Sequence, residues 1–107
     1  MSIIQKIEQF IATNEIKKAQ RLLEVYFAVY PQQAKQHIAY FQEHGRWELP
    51  PVPQSLMEIE HQVRLLWQEN YALKAIDFYR LHTDCTLKES AQKVRSLCAD
   101  IPMEDEE

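Results

Sequence analysis

The sequence predicts an all-α fold: a single small domain of about six helices, packed as helical hairpins into a compact bundle. Three observations predict it. The 107 residues include one glycine, Gly45, and no Asn-Gly or Asp-Gly pair, so the tight turns of a sheet have no residues to make them. Apolar residues recur at spacings of three and four, the period of a half-buried helix. The breaks in that rhythm fall at Asn, Pro, Gly and Thr, which end or cap helices.

The first helix is expected over residues 2–13, with Ile3, Ile4, Ile7, Phe10 and Ile11 as its buried stripe. Thr13-Asn14 ends it, and Asn14 is placed to cap the next. That second helix runs from Glu15 to about Tyr30, with Ile16, Ala19, Leu22, Leu23, Tyr26, Phe27 and Tyr30 inward, and its apolar second half makes it the central helix. Pro31 cannot continue a helix but suits the first turn of a new one, which Gly45 stops after Ala34, Ile38 and Phe41.

Residues 46–54, RWELPPVPQ, form a connector whose prolines favour extended backbone, pinned by Trp47 and Val52. Ser55 and Glu58 then read as a capping box opening a fourth helix with Leu56, Ile59, Val63 and Leu66 as its stripe and Trp67 alongside. Asn70 is placed to cap the fifth, where Leu73, Ile76 and Tyr79 share a face with Ala72 and Ala75. Thr86 and Glu89 form a second capping box, opening a sixth helix faced by Leu87, Ala91, Val94 and Leu97/Cys98. The domain therefore spans 1–100, as N-terminal helices over 1–45, the connector, and C-terminal helices over 55–100, before an acidic tail at 101–107.

Two stretches resemble known families. Ala19, Leu23 and Pro31, with Phe10 before them, stand at the spacings of a tetratricopeptide repeat, and Ile38-Ala39-Tyr40-Phe41 with Gly45-Arg46-Trp47 looks like the start of a second unit. Leu49-Pro50-Pro51 then falls where that unit's second helix should begin, so the resemblance implies a helical hairpin and no peptide-binding groove. Residues 70–98 are similar to the helix-turn-helix portion of the C-terminal domain of the bacterial ribosomal stalk protein. Ala75-Ile76, Tyr79-Arg80, Thr83 and Leu87-Lys88-Glu89-Ser90 carry that likeness. In that family the surface recruits translation factors through lysines, whose places here hold Ala72, Asp77 and Ala91, while the turn glycine is Asp84. The resemblance thus implies a hairpin with a protein-binding precedent, not recruitment of translation factors.

Composition narrows function. Sixteen acidic against twelve basic residues give a net charge of −4, and Lys17-Lys18 is the longest basic cluster, which disfavours nucleic acid. The same balance suits a partner protein with a basic surface. Charges interrupt the apolar pattern of MSIIQKIEQFI, so it reads as neither signal peptide nor anchor. The longest uncharged run, residues 25–34, is half the length of about twenty residues that a membrane span needs. With two cysteines thirteen apart there is no disulfide framework, and a cytoplasmic location is expected.

Candidate chemistry is thin. His37 and His44 lie seven apart, roughly 10 Å along a helix, too far to share a metal. His82 and Cys85 have ligand-like spacing but no second cluster, and Cys85 before a helix N-terminus has no histidine placed as its base. There is no Gly-rich phosphate loop, nucleophile elbow or HExxH motif. Neither an enzyme nor a cofactor is expected. The expectation is a cytoplasmic protein-binding protein, most simply a small acidic stoichiometric inhibitor of the kind that bacterial immunity proteins exemplify. The alternative is a structural or adaptor subunit of a homodimer or larger assembly. For the inhibitor, Asp77, Asp84 and Glu43 would supply charge, and Trp47 and Tyr40 would be aromatic anchors.

Overall fold

Six helices form close to where the apolar spacing places them: α1 (Ile3–Ala12), α2 (Ile16–Phe27), α3 (Pro31–His44), α4 (Leu56–Gln68), α5 (Ala72–Thr83) and α6 (Leu87–Leu97). The structure, a computed structural model, describes residues 2–101, and beyond Ile101 the expected acidic tail lies outside the described residues. No strand occurs among the described residues, so the fold is all-α. The backbone contacts divide the chain into two units, Met1–Pro51 and Val52–Glu107, and the division falls inside the proline-rich connector.

In the first unit α2 packs against both α1 and α3. Its core is Ile7, Ala19, Leu23, Val29, Ala34 and Ile38, with Ile3, Ile4, Phe10, Ile11 and Trp47 packed around it. In the second unit α5 packs against α4 and α6, which also touch each other. Ile59, Val63, Leu66, Ala75, Ile76, Phe78, Tyr79, Val94 and Cys98 are buried there, together with Ser90, whose hydroxyl donates to the Ile76 carbonyl at 2.5 Å.

Several expected details change. Asn14 and Asn70 are not the N-caps of α2 and α5, which are Glu15 and Tyr71: both are left-handed, with φ of 63° and 67°, and lie just past the helices they end. Glu15 N–H donates to the Phe10 carbonyl and Asn14 N–H to Ile11; Tyr71 N–H and Asn70 N–H repeat this with Leu66 and Trp67. That six-to-one and five-to-two pairing is the Schellman motif, in which asparagine takes the left-handed position more readily than other non-glycine residues. α2 also stops early, at left-handed Ala28, because Tyr30 precedes a proline and is held extended at ψ 158°. Ser55 caps α4 through Glu58 N–H, but the Glu58 carboxylate accepts from Gln54 N–H and the Ser55 hydroxyl instead of from Ser55 N–H, so the box is not closed.

The expected stripes of unit 2 are only partly buried. Leu56, Leu73 and Leu87, all assigned to the core by their spacing, are exposed, and Ser90 fills the site on α6 that the pattern gave to apolar residues.

The two units repeat one scheme. Asn14 and Asn70 are fifty-six residues apart, as are left-handed Ala28 and Asp84. At the same offset the buried positions coincide: Ile7 with Val63, Ala19 with Ala75, Leu23 with Tyr79, Ala34 with Ser90, Ile38 with Val94. The third helices start alike as well, Gln33 accepting from Tyr30 N–H at 2.9 Å and Glu89 from Thr86 N–H at 3.0 Å. One difference is at the start of the first helix. α4 has 13 residues and α1 has 10, and the added turn is N-terminal, since both end at equivalent positions.

Candidate protein-binding surfaces

Three of the sequence-selected residues sit together in the first unit, at the end of α3. Gly45, left-handed at φ 73°, stops that helix and turns the chain so that Trp47 folds back against Phe41, rings stacked at 4.3 Å and 12°. The Trp47 indole N–H donates to the Glu8 carboxylate of α1 at 2.8 Å. Trp47 is therefore half-buried and fastens the connector to the core; it does not stand free as an anchor. Tyr40 is half-buried, its ring 4.2 Å from that of His44 and 5.5 Å beneath the Arg46 guanidinium. Its hydroxyl is hydrogen-bonded to the Glu48 carboxylate, which pushes the phenol pKa up because the bond favours the protonated form. Glu43, one turn further on, is exposed.

Asp77 and Asp84 belong to the second unit. Asp77 is half-buried and lies 3.5 Å from the Arg80 guanidinium, so its charge is largely satisfied within α5. Asp84 is exposed, in the left-handed position that ends α5, and its N–H donates to the Arg80 carbonyl at 3.1 Å. Seven residues separate them, two helical turns or roughly 10 Å along one side of the helix.

The residues that sequence reasoning missed are apolar. Leu56 (54% exposed), Met57 (79%), Leu73 (77%) and Leu87 (60%) project from unit 2, with Leu65 and Tyr71 less so. Scattered exposed leucines are ordinary. Here the repeat supplies a comparison within the chain. At the positions equivalent to Leu65, Tyr71, Leu73 and Leu87, unit 1 has Gln9, Glu15, Lys17 and Pro31. The shared scheme therefore forms without leucine or tyrosine there.

Groups with chemical potential are occupied structurally. The Thr83 hydroxyl donates to the Tyr79 carbonyl at 2.6 Å and lies 3.2 Å from the half-buried Cys85 sulfur. His82 packs its ring 4.4 Å from Phe78. Burial pushes the Cys98 thiol pKa up, away from the thiolate. Among the described residues no group of three or more His, Cys, Asp or Glu is placed to hold a metal, and no helix is long and apolar enough to cross a membrane. Comparison with known protein families, with curated proteins and with solved structures finds no match for this chain.

Proposed function

We propose that this chain is a non-enzymatic protein-binding protein that acts by stoichiometric occupation of a partner's surface, in the manner of a small acidic inhibitor such as a toxin-neutralising immunity protein. One observation carries the reading: unit 2 exposes Leu73 and Leu87 where unit 1, built on the same scheme, has Lys17 and Pro31. Exposed apolar side chains lower the stability and solubility of a free protein and gain value when a partner covers them. The test is affinity co-purification of the tagged chain from lysate of its source organism, beside an L73S/L87S variant, with intact mass of the eluate. A single partner in one-to-one ratio, depleted by the variant while its melting temperature holds, is the expected result. Identical capture by both forms, or none by either, overturns the reading.

The same leucines also suit a self-association surface, the adaptor or homodimer reading. Sedimentation equilibrium at high concentration separates the two, since a monomer throughout excludes the homodimer.

A further inference from the structure

One end of unit 2 differs from its counterpart in unit 1 in both shape and charge. α4 and α5 are joined by the short turn at Asn70, and α5 and α6 by the turn at Asp84, so each pair is antiparallel and α4 runs parallel to α6. Arg64 of α4 donates to the Leu97 carbonyl at 2.7 Å, which sets the two helices level in their C-terminal halves. The first turns of α4 and α6 and the last turn of α5 consequently lie at one end. Leu56 continues the buried line Ile59–Val63–Leu66, and Leu87 continues Ser90–Val94–Cys98, yet both are more than half exposed. The inward stripes run on past the last closed layer of the core. Leu56 and Met57 open α4, ahead of Ile59, the residue equivalent to the first of α1.

Charge changes at the same place. Glu58, Asp84 and Glu89 are exposed there, with Lys88 among them, while Arg80 in the last turn of α5 is paired with Asp77 and His82 packs against Phe78. The unit 1 equivalents of Glu58, Asp84, Glu89 and Lys88 are Ser2, Ala28, Gln33 and Gln32, all uncharged. The caps do not require the carboxylates. Gln5 closes the capping box of α1, and Gln33 accepts from the N–H of the α3 N-cap, Tyr30, as Glu89 does from that of Thr86. Hydrogen bonds from the Thr86 backbone and hydroxyl hold the Glu89 carboxyl below its ordinary pKa, so it is charged at neutral pH. An open apolar end rimmed by more acid than base is complementary to a surface that is apolar and basic.

We infer that this end of unit 2, with Leu56, Met57 and Leu87 ringed by Glu58, Asp84 and Glu89, is the docking site, and that it takes a basic amphipathic helix of a partner protein. The inference rests on the protein-binding reading and adds the chemistry of the partner.

The experiment titrates the full-length chain into a fluorescein-labelled amphipathic helix of leucine and lysine, and into the same pattern with glutamate for lysine, reading anisotropy. Saturable one-to-one binding of the lysine peptide is expected, at least tenfold tighter than the glutamate peptide. An M57S/L87S variant should weaken it at least tenfold and E58Q/D84N/E89Q several-fold, with salt acting in the same direction. Q68A, in the last turn of α4 at the opposite end of the unit, should leave it unchanged. All of these side chains are exposed, and Gln33 and Asn70 show that Gln and Asn suit the cap and the left-handed turn, so the variants keep the fold, which thermal melts verify. Equal affinity for the two peptides overturns the basic partner while leaving protein binding to stand. Binding that ignores M57S/L87S, or fails for both peptides, overturns the site. A dimer of the chain that M57S/L87S dissociates assigns this end to a second copy, and overturns the inference too.

Discussion

Glu8 and Arg64 hold equivalent positions in the first helices of the two units, and each fastens the segment that follows its unit's third helix. Glu8 accepts from the Trp47 indole; Arg64 donates to the Leu97 carbonyl and, through both terminal nitrogens, to Asp100 at 2.9 and 3.0 Å. The charge has reversed and the role has not. R64A should lower the urea midpoint more than D100N, because the arginine also satisfies a carbonyl at the end of α6, whereas its exposed ion pair adds little. Equal effects would mean that the carbonyl bond is worth nothing.

The two tryptophans differ in a way that unfolding measurements resolve. Trp47 has its N–H bonded, while the buried Trp67 indole N–H has no hydrogen-bond partner. W47F should lower the unfolding free energy by about 1–2 kcal/mol. W67F should lower it less, because the substitution also deletes an unsatisfied donor. The reverse order in urea titrations would show that indole packing outweighs hydrogen bonding at both sites.

Ala28 pays for a left-handed backbone, φ 55°, without the side chain that would ease it. A28G should raise stability by about 0.5–1 kcal/mol, the relief of strain exceeding the added freedom of the unfolded chain. N14A and N70A should each lower it by about 1 kcal/mol. Chemical denaturation of the three variants checks both signs.

Ser90 and Ala34 fill one site in two units, each with no exposed surface. S90A loses the bond to the Ile76 carbonyl but leaves a side chain that unit 1 already accommodates, so it should cost about 1 kcal/mol or less. S90V overfills the same space and should cost about 1–3 kcal/mol. A34S is expected to be tolerated, its hydroxyl reaching the carbonyl of Gln20, the residue equivalent to Ile76.

Acid should destabilise the fold in a defined direction. Lys18 and then Thr13 lower the pKa of Glu15, Thr86 lowers that of Glu89, and Arg64 lowers that of Asp100. A carboxyl depressed in the folded state contributes stability that is full above its unfolded pKa, about 4, and is lost as pH falls through the folded value. Urea midpoints should therefore be flat from pH 7 to about 5 and decline below, with E89Q reducing the slope. Tyr40, raised by Glu48, has the opposite sign: its contribution is present below pH about 10 and lost as the pH climbs through its folded value.

The helices were legible because three-and-four spacing is a direct consequence of burying one face. What periodicity does not carry is where the core stops. Leu56 and Leu87 stand in line with buried residues, yet the line outruns the helices packed against it. Asn14 and Asn70 misled for another reason: asparagine suits both the N-cap and the left-handed turn, and at the junction of two helices only the backbone distinguishes them. Ser90 looked polar because its partner, the Ile76 carbonyl, lies on another helix. The repeat was hidden since, over the helices of the first unit, only Ile3, Asn14, Lys18, Ala19 and Gln36 recur identically at fifty-six residues' distance. Without it, Leu73 and Leu87 read as ordinary core, and the comparison that singles out the candidate surface was not available.

That scarcity of shared residues has a consequence for how the chain reaches its native state. Neighbouring copies of one scheme are prone to exchange elements while folding, each helix having two sites that nearly fit. Here the interchangeable helices carry mismatched volumes on their core-facing sides, Leu23 against Tyr79 and the partly buried Leu22 against Phe78. An α2 docked in the place of α5 would leave voids, and an α5 in the place of α2 would not close. Divergence between the halves acts as a proofreading step that keeps each helix with its own neighbours.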